Sequence, residues 1–125
     1  MYKLLASICL LLICNQTYAD SFLSCATDVD SYSLEKGKYF KTCLLSSSKF
    51  QFRAVSIGSM GHTCYMKETA VLEDGAYRFV KDKCSITFIP TNKGMQVDFA
   101  SDCWYRNCGM RANWKSGEYE KIISR

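Results

Sequence analysis

The residues best equipped for chemistry lie near the end of the chain, in "CWYRNCGMRANWKSGEY", Cys103 to Tyr119. Two cysteines, two tryptophans, two tyrosines and a run of Arg and Lys share that stretch. Free thiolates at this position would suit a metal or a redox couple. Four residues separate Cys103 from Cys108, however, so the spacing is not that of a Cys-x-x-Cys redox pair. The single histidine, His62, sits in the Gly-rich "GSMGHTC". A general base or ligand needs partners, and two-histidine nuclease chemistry is excluded. The bland role for His62 is a turn contact beside Cys64. No serine lies in a Gly-x-Ser-x-Gly elbow: in "SIGSMG" the flanking Gly58 and Gly61 of Ser59 have the wrong spacing. The carboxylates Asp98 and Asp102, or Glu118 and Glu120, read as solvated faces rather than a glycosidase pair. A small hydrolase built on His62 is the enzyme alternative; the reading here is a non-enzyme with no cofactor and no metal.

The fate of the sulfurs depends on where the chain goes. "MYKLLASICLLLICNQTYA" has Lys3, then an apolar run from Leu4 to Ile13, then Thr17-Tyr18-Ala19 with small residues at the positions a signal peptidase reads. The expectation is a leader over residues 1–19 and a single β domain over 20–125. The run falls short of the roughly 20 residues that span a bilayer. Ile13 is too large for the residue before a lipidated Cys14. Of eight cysteines, the leader takes Cys9 and Cys14. Cys25, Cys43, Cys64, Cys84, Cys103 and Cys108 remain, an even set suited to three disulfides in the periplasm or outside the cell. In so small a domain, such staples offset a limited core. Asn92, Asn107 and Asn113 all fail the glycosylation sequon, which favours a bacterial periplasm. Sixteen Lys/Arg against twelve Asp/Glu is mildly basic, without the clustering of a nucleic-acid binder.

The elements that must hold these residues are short strands. From Asp20 to Lys38 periodicity is weak, with at most one short strand. "YFKTCLL" and "KFQFRAVSI" alternate, placing Phe50, Phe52 and Ala54 on one face; "MQVDFA" does the same with Met95, Val97 and Phe99. "EDG" and "TNKG" read as turns, and "MRANW" with "EYEKII" as a final hairpin about "SG". No segment carries a helical period. The expected fold is all-β, a small antiparallel barrel or sandwich stapled by three disulfides. Cys64 and Cys84 are equidistant from Asp74, so an unbroken hairpin pairs them across its strands. Cys103 with Cys108 closes a small loop, leaving Cys25 with Cys43.

With the sulfurs assigned to staples, the C-terminal side chains become a surface. Trp104, Tyr105, Arg106, Arg111, Trp114, Lys115, Ser116 and Tyr119 have the aromatic–basic composition of protein interfaces. The alternative is that Trp104 and Trp114 close the end of the barrel.

The string Gly61 to Cys64 ("GHTC") with Ala70, the later Cys84, and the terminal C-x-x-x-x-C-G-x-R-A-x-W…G-x-Y together resemble small exported bacterial proteins described as lysozyme-inhibitor-like. The resemblance covers Gly58 to Lys121. It implies a small β-barrel that inserts a rigid loop into the cleft of a lysozyme or other cell-wall hydrolase, where a serine or basic side chain meets catalytic carboxylates. Membrane-bound inhibitors of this kind use Ser-Gly-x-x-Tyr and Lys-Gly segments. "SGEY" (Ser116, Gly117, Tyr119) is one residue short, and "NKG" (Lys93, Gly94) matches in part. The expected function is a periplasmic or secreted binding protein of inhibitor or immunity type; an envelope interaction module is the other alternative. Partners are proteins, not nucleic acid.

Overall fold

Alternation written into the sequence becomes a closed wall of strands. A computed structural model describes Cys25 and residues 29–123, so the expected leader lies outside the described residues. The strands are β1 (Asp30–Glu35), β2 (Lys38–Ser46), β3 (Lys49–Ile57), β4 (Thr63–Glu73), β5 (Ala76–Lys81), β6 (Cys84–Pro90), β7 (Gly94–Phe99) and β8 (Gly117–Ile122). Each pairs antiparallel with the next, and β1 pairs with β8 to close the barrel. A 3-10 turn, Ser59–Gly61, joins β3 to β4; another, Ser101–Cys103, follows β7. No helix among the described residues is long and apolar enough to cross a membrane.

On β3, Phe50, Phe52, Ala54 and Ser56 are buried while the residues between them face out. Ile86 and Phe88 on β6, and Met95, Val97 and Phe99 on β7, fill the same interior. Eight strands leave a bore just wide enough for side chains to fill. The ring of Phe88 sits at its centre, with centroids 5.6 Å from Phe40, 5.1 Å from Phe50 and 4.9 Å from Phe52. Truncating such a residue removes its own burial and leaves a void, a loss of about 3–5 kcal/mol.

Two sequence expectations about elements are corrected. The "EDG" turn uses two residues rather than three. Glu73 pairs with Ala76, and Asp74 (φ 51°) and Gly75 (φ 84°) both take the left-handed conformation that tight hairpins demand. The segment Arg111–Ser116 forms no strand, so no final hairpin exists; β8 instead lies between β7 and β1. Within the weakly periodic lead-in, β1 is held by ladders on both sides.

The disulfides differ from nearest-neighbour pairing. Cys25 bonds Cys43, but Cys64 bonds Cys108 and Cys84 bonds Cys103. The expected Cys64–Cys84 and Cys103–Cys108 pairs do not form. The hairpin argument fails because the chain turns again after Lys81. Cys84 therefore opens β6, one strand removed from β4. Three disulfides suit an oxidising environment. Non-reducing peptide mapping will recover Cys64 with Cys108 and Cys84 with Cys103. Replacing Cys84 and Cys103 together by Ala will lower unfolding free energy by about 2–5 kcal/mol, measured in denaturant titration.

Candidate functional site: a doubly pinned C-terminal loop

Between β7 and β8 the chain makes one long excursion, and its backbone is tied down almost throughout. It opens with a 3-10 turn, Cys103 N–H donating to Ala100 O at 2.8 Å and Trp104 N–H to Ser101 O at 3.2 Å. Arg106 N–H then bonds Cys103 O, and Asn107 reverses the chain at φ 57°. The following residues run antiparallel to the start of β4. Tyr65 N–H donates to Asn107 O and Gly109 N–H to Thr63 O, each at 3.1 Å, on either side of the Cys64–Cys108 bridge. Cys103 anchors the other end to β6 through Cys84, with 4.7 Å between their Cα atoms. The two staples thus secure one loop to two strands.

Side chains complete the anchoring. Trp114 is buried, stacks on Phe99 at 5.4 Å, and donates its Nε1–H to Arg106 O at 2.8 Å. Its backbone N–H bonds Trp104 O at 2.8 Å, so one residue braces both limbs of the loop. Ser56 Oγ donates to Asn113 O and accepts from Lys38 Nζ at 2.8 Å. The loop between β3 and β4 packs backbone to backbone against this one: a Cβ on Gly58 would fall on Arg111 O. His62 belongs to the same contact, its carbonyl accepting from Gly58 N–H at 2.7 Å and its ring resting on Gly109. Among the described residues no three His, Cys, Asp or Glu side chains gather into a cluster.

What the loop presents is a subset of the residues expected there. Trp104 is 47% exposed and Tyr105 69% exposed. Arg111 is also exposed, its Nη1 2.9 Å from the sulfur of Met60. Arg106 holds Asp82 at 3.0 Å. Trp114 and Tyr119 are corrected from interface to interior. Both are buried because their rings complete the core, Tyr119 against Phe40 at 5.2 Å with its hydroxyl donating to Lys115 O at 2.6 Å. Lys115 forms an exposed ion pair with Glu35 at 2.6 Å, and Ser116 Oγ accepts from Phe99 N–H at 2.9 Å. The lysine's hydrogen bond, and then its charge, hold the Glu35 carboxyl below its ordinary value. Sequence reasoning passed over Met60 and Met110, 80% and 89% exposed at the two facing loop tips. Their only sequence signal is an apolar residue between glycines or beside one, in "GSMG" and "CGM".

The two segments singled out by resemblance meet where Gly94 packs against Tyr119 O between β7 and β8, but Ser116 and Lys93 are held apart. Ser116 bonds Phe99 at one end of β7, while Lys93 O accepts from Lys121 N–H beyond its other end. Phe99 and Lys93 are six residues apart along the chain, about 20 Å in extended backbone.

Burial pushes the Tyr119 phenol well above its ordinary value, with the Glu35 charge adding to it, and burial likewise raises Tyr32. Both tyrosines stay protonated in the fold after the unfolded chain has begun to ionise. Their contribution to stability is therefore complete below about pH 10 and is lost as pH rises towards the folded values. Thermal midpoints will be flat through neutrality and fall above pH 10. In unfolding free energy the slope will approach about 1.4 kcal/mol per pH unit for Tyr119, and Tyr119→Phe will make it shallower. Gly58→Ala will push the two loops apart and cost about 1–3 kcal/mol, read as a lowered midpoint in denaturant.

Compared with protein-family models, curated proteins and solved structures, the chain matches none.

Proposed function

We propose that the protein is an exported, non-enzymatic binding protein that grips a protein partner with its C-terminal loop, and that the partner is a lysozyme-like cell-wall hydrolase. One observation carries this reading. A loop fixed by two disulfides and by Trp114 holds Trp104, Tyr105, Met110 and Arg111 in solvent. Large aromatics left outside, when two of their kind from the same stretch were buried, are expensive to keep unless something covers them. Trp, Tyr and Arg are the residues that dominate binding energy at protein interfaces. Because the loop is already ordered, docking loses little conformational entropy.

The resemblance to lysozyme-inhibitor-like proteins supports the choice of partner, and the eight-stranded barrel is consistent with it. The contact residues change, however. With Ser116 and Lys93 at opposite ends of β7, the inhibitory contact falls to Trp104, Tyr105 and Arg111. Arg111 supplies the charge that meets a catalytic carboxylate, a planar donor able to bond both of its oxygens.

The secreted chain, with disulfides intact, is to be incubated with c-, g- and i-type lysozymes and with envelope amidases. Inhibition of at least one is expected, and Trp104→Ala with Tyr105→Ala will weaken it at least about tenfold, the effect of losing a modest hot spot. Unchanged hydrolysis by every enzyme at micromolar excess would overturn the inhibitor reading.

A further inference from the structure

The barrel wall parts between β4 and β5. β3 and β4 share nine consecutive pairs, but β4 and β5 share three: Val71 with Arg78, Leu72 with Tyr77 and Glu73 with Ala76. The same register continued would set Thr69 against Val80 and Glu68 against Lys81, and the ladder stops short of both. Glu68 and Lys81 meet through their long side chains instead, at 4.0 Å. A cleft of about 490 Å³ opens here. Thr69, Val71 and Val80 line it from the outward side of the strands, and Glu68, Phe79 and Lys81 from the inward side. One cleft reaches both sides of a sheet where two strands separate.

Main-chain direction alternates along a strand, so register fixes what the gap contains. On β4, Leu72 N–H turns to Ser48 O on the β3 side, while Tyr65 N–H turns to Asn107 O on the other. The β3–β4 register is unbroken between them. The N–H and C=O of Thr69, in step with Tyr65, therefore point into the cleft without a ladder partner. On either side of the gap the same edge is satisfied, by β5 from Val71 onward and by the pinned loop at Thr63 and Tyr65. Phe79 is buried and closes the floor, with its ring 5.7 Å from that of Phe52.

We propose that an extended stretch of a partner polypeptide docks in this cleft by strand addition, its main chain pairing with β4 at Thr69. The pinned loop is the precedent: it already pairs with this edge, through Asn107 and Gly109 on either side of the Cys64–Cys108 bridge. Another backbone is the ligand that brings donors and acceptors at the strand repeat. From Tyr65 to Val71 the edge runs about 20 Å, the length of about six extended residues. Alternate side chains of the segment fall on Phe79, where small or apolar residues fit. Val80, 63% exposed, forms the far rim and is covered when the segment is seated. Strand addition takes its affinity from main-chain hydrogen bonds and its specificity from the alternate side chains. The cleft shares no residue with the exposed surface of the C-terminal loop, so hydrolase inhibition can hold or fail independently.

The probe is the capped peptide Lys-Thr-Val-Ala-Val-Thr-Lys, titrated into the intact, oxidised protein and followed by amide NMR. Its control is the same peptide N-methylated throughout its centre, which keeps the side chains and removes the backbone donors. The Thr69 amide should exchange quickly with solvent in the free protein, then shift and become protected as the peptide binds. The N-methylated peptide should produce neither change. Thr69→Pro removes the donor that faces the cleft and leaves the β3 ladder its hydrogen bonds. It should weaken binding at least about tenfold, whereas Thr69→Ala, which keeps that donor, should stay within about twofold. Thermal midpoints verify that both variants fold, and the N-methylated control decides the matter without any variant. Slow exchange of the Thr69 amide in the free protein, no binding of the peptide, or equal binding of its N-methylated form overturns the proposal. So does undiminished binding by Thr69→Pro. A concentration-dependent dimer in sedimentation that Thr69→Pro dissolves assigns the edge to a second copy of the chain and also overturns it.

Discussion

Closure of the sheet by the β1–β8 ladder is the constraint on which the rest of this structure depends. An open sheet of short strands would leave two edges of unpaired backbone groups and a half-exposed apolar face. Closure removes both edges and turns one face into a bore that side chains must fill. That is why the interior is so aromatic: Phe40, Phe50, Phe52 and Phe88 span a space that smaller aliphatics would leave partly empty. It is also why β1 can be short and weakly patterned. Its ladders to β2 and β8 supply the order that its own sequence does not.

A closed barrel has two ends, and connections between strands must pass over them. Most here are tight turns. The segment between β7 and β8 is the exception, and its length would ordinarily make it mobile. The Cys64–Cys108 and Cys84–Cys103 bridges convert it into an extension of the wall by tying it to β4 and to β6. Local bridges within the hairpin and within the loop would have closed small rings and left the loop free to swing. Trp114 then plugs the space beneath, and its indole N–H satisfies a loop carbonyl that would otherwise be stranded.

Charge and aromatic surface are partitioned by this geometry. Ionisable groups at inward positions are accommodated by partners: Tyr119 donates to Lys115 O, Lys38 donates to Ser56 Oγ, and Glu68 reaches Lys81. The end loop exposes Trp104 and Tyr105 while internal pairs engage Lys115 and Arg106. Across β2 to β4, register sets Lys41, Arg53 and Lys67 side by side. A mildly basic net charge spread evenly would mean little beyond solubility. Aligned by strand register, part of the same excess becomes a local feature.

Alternating residues were enough to read β3 and β7, their buried faces and the all-β class, because a period of two is a property of neighbouring residues in one chain. An even cysteine count likewise pointed to three staples. The sequence could not say which sulfurs meet, because that depends on the turn at Asp82 and Lys83 that moves Cys84 from the hairpin to the next strand. Nor could it sort Trp104 from Trp114 or Tyr105 from Tyr119. Each member of these pairs has the same side chain, and burial follows from where the pinned loop crosses the barrel end. The row of Lys41, Arg53 and Lys67 was equally invisible. Three cations twelve and fourteen residues apart become neighbours only when hydrogen-bonded register sets them side by side. Local pattern determined the strands; long-range pairing decided which residues they bring together.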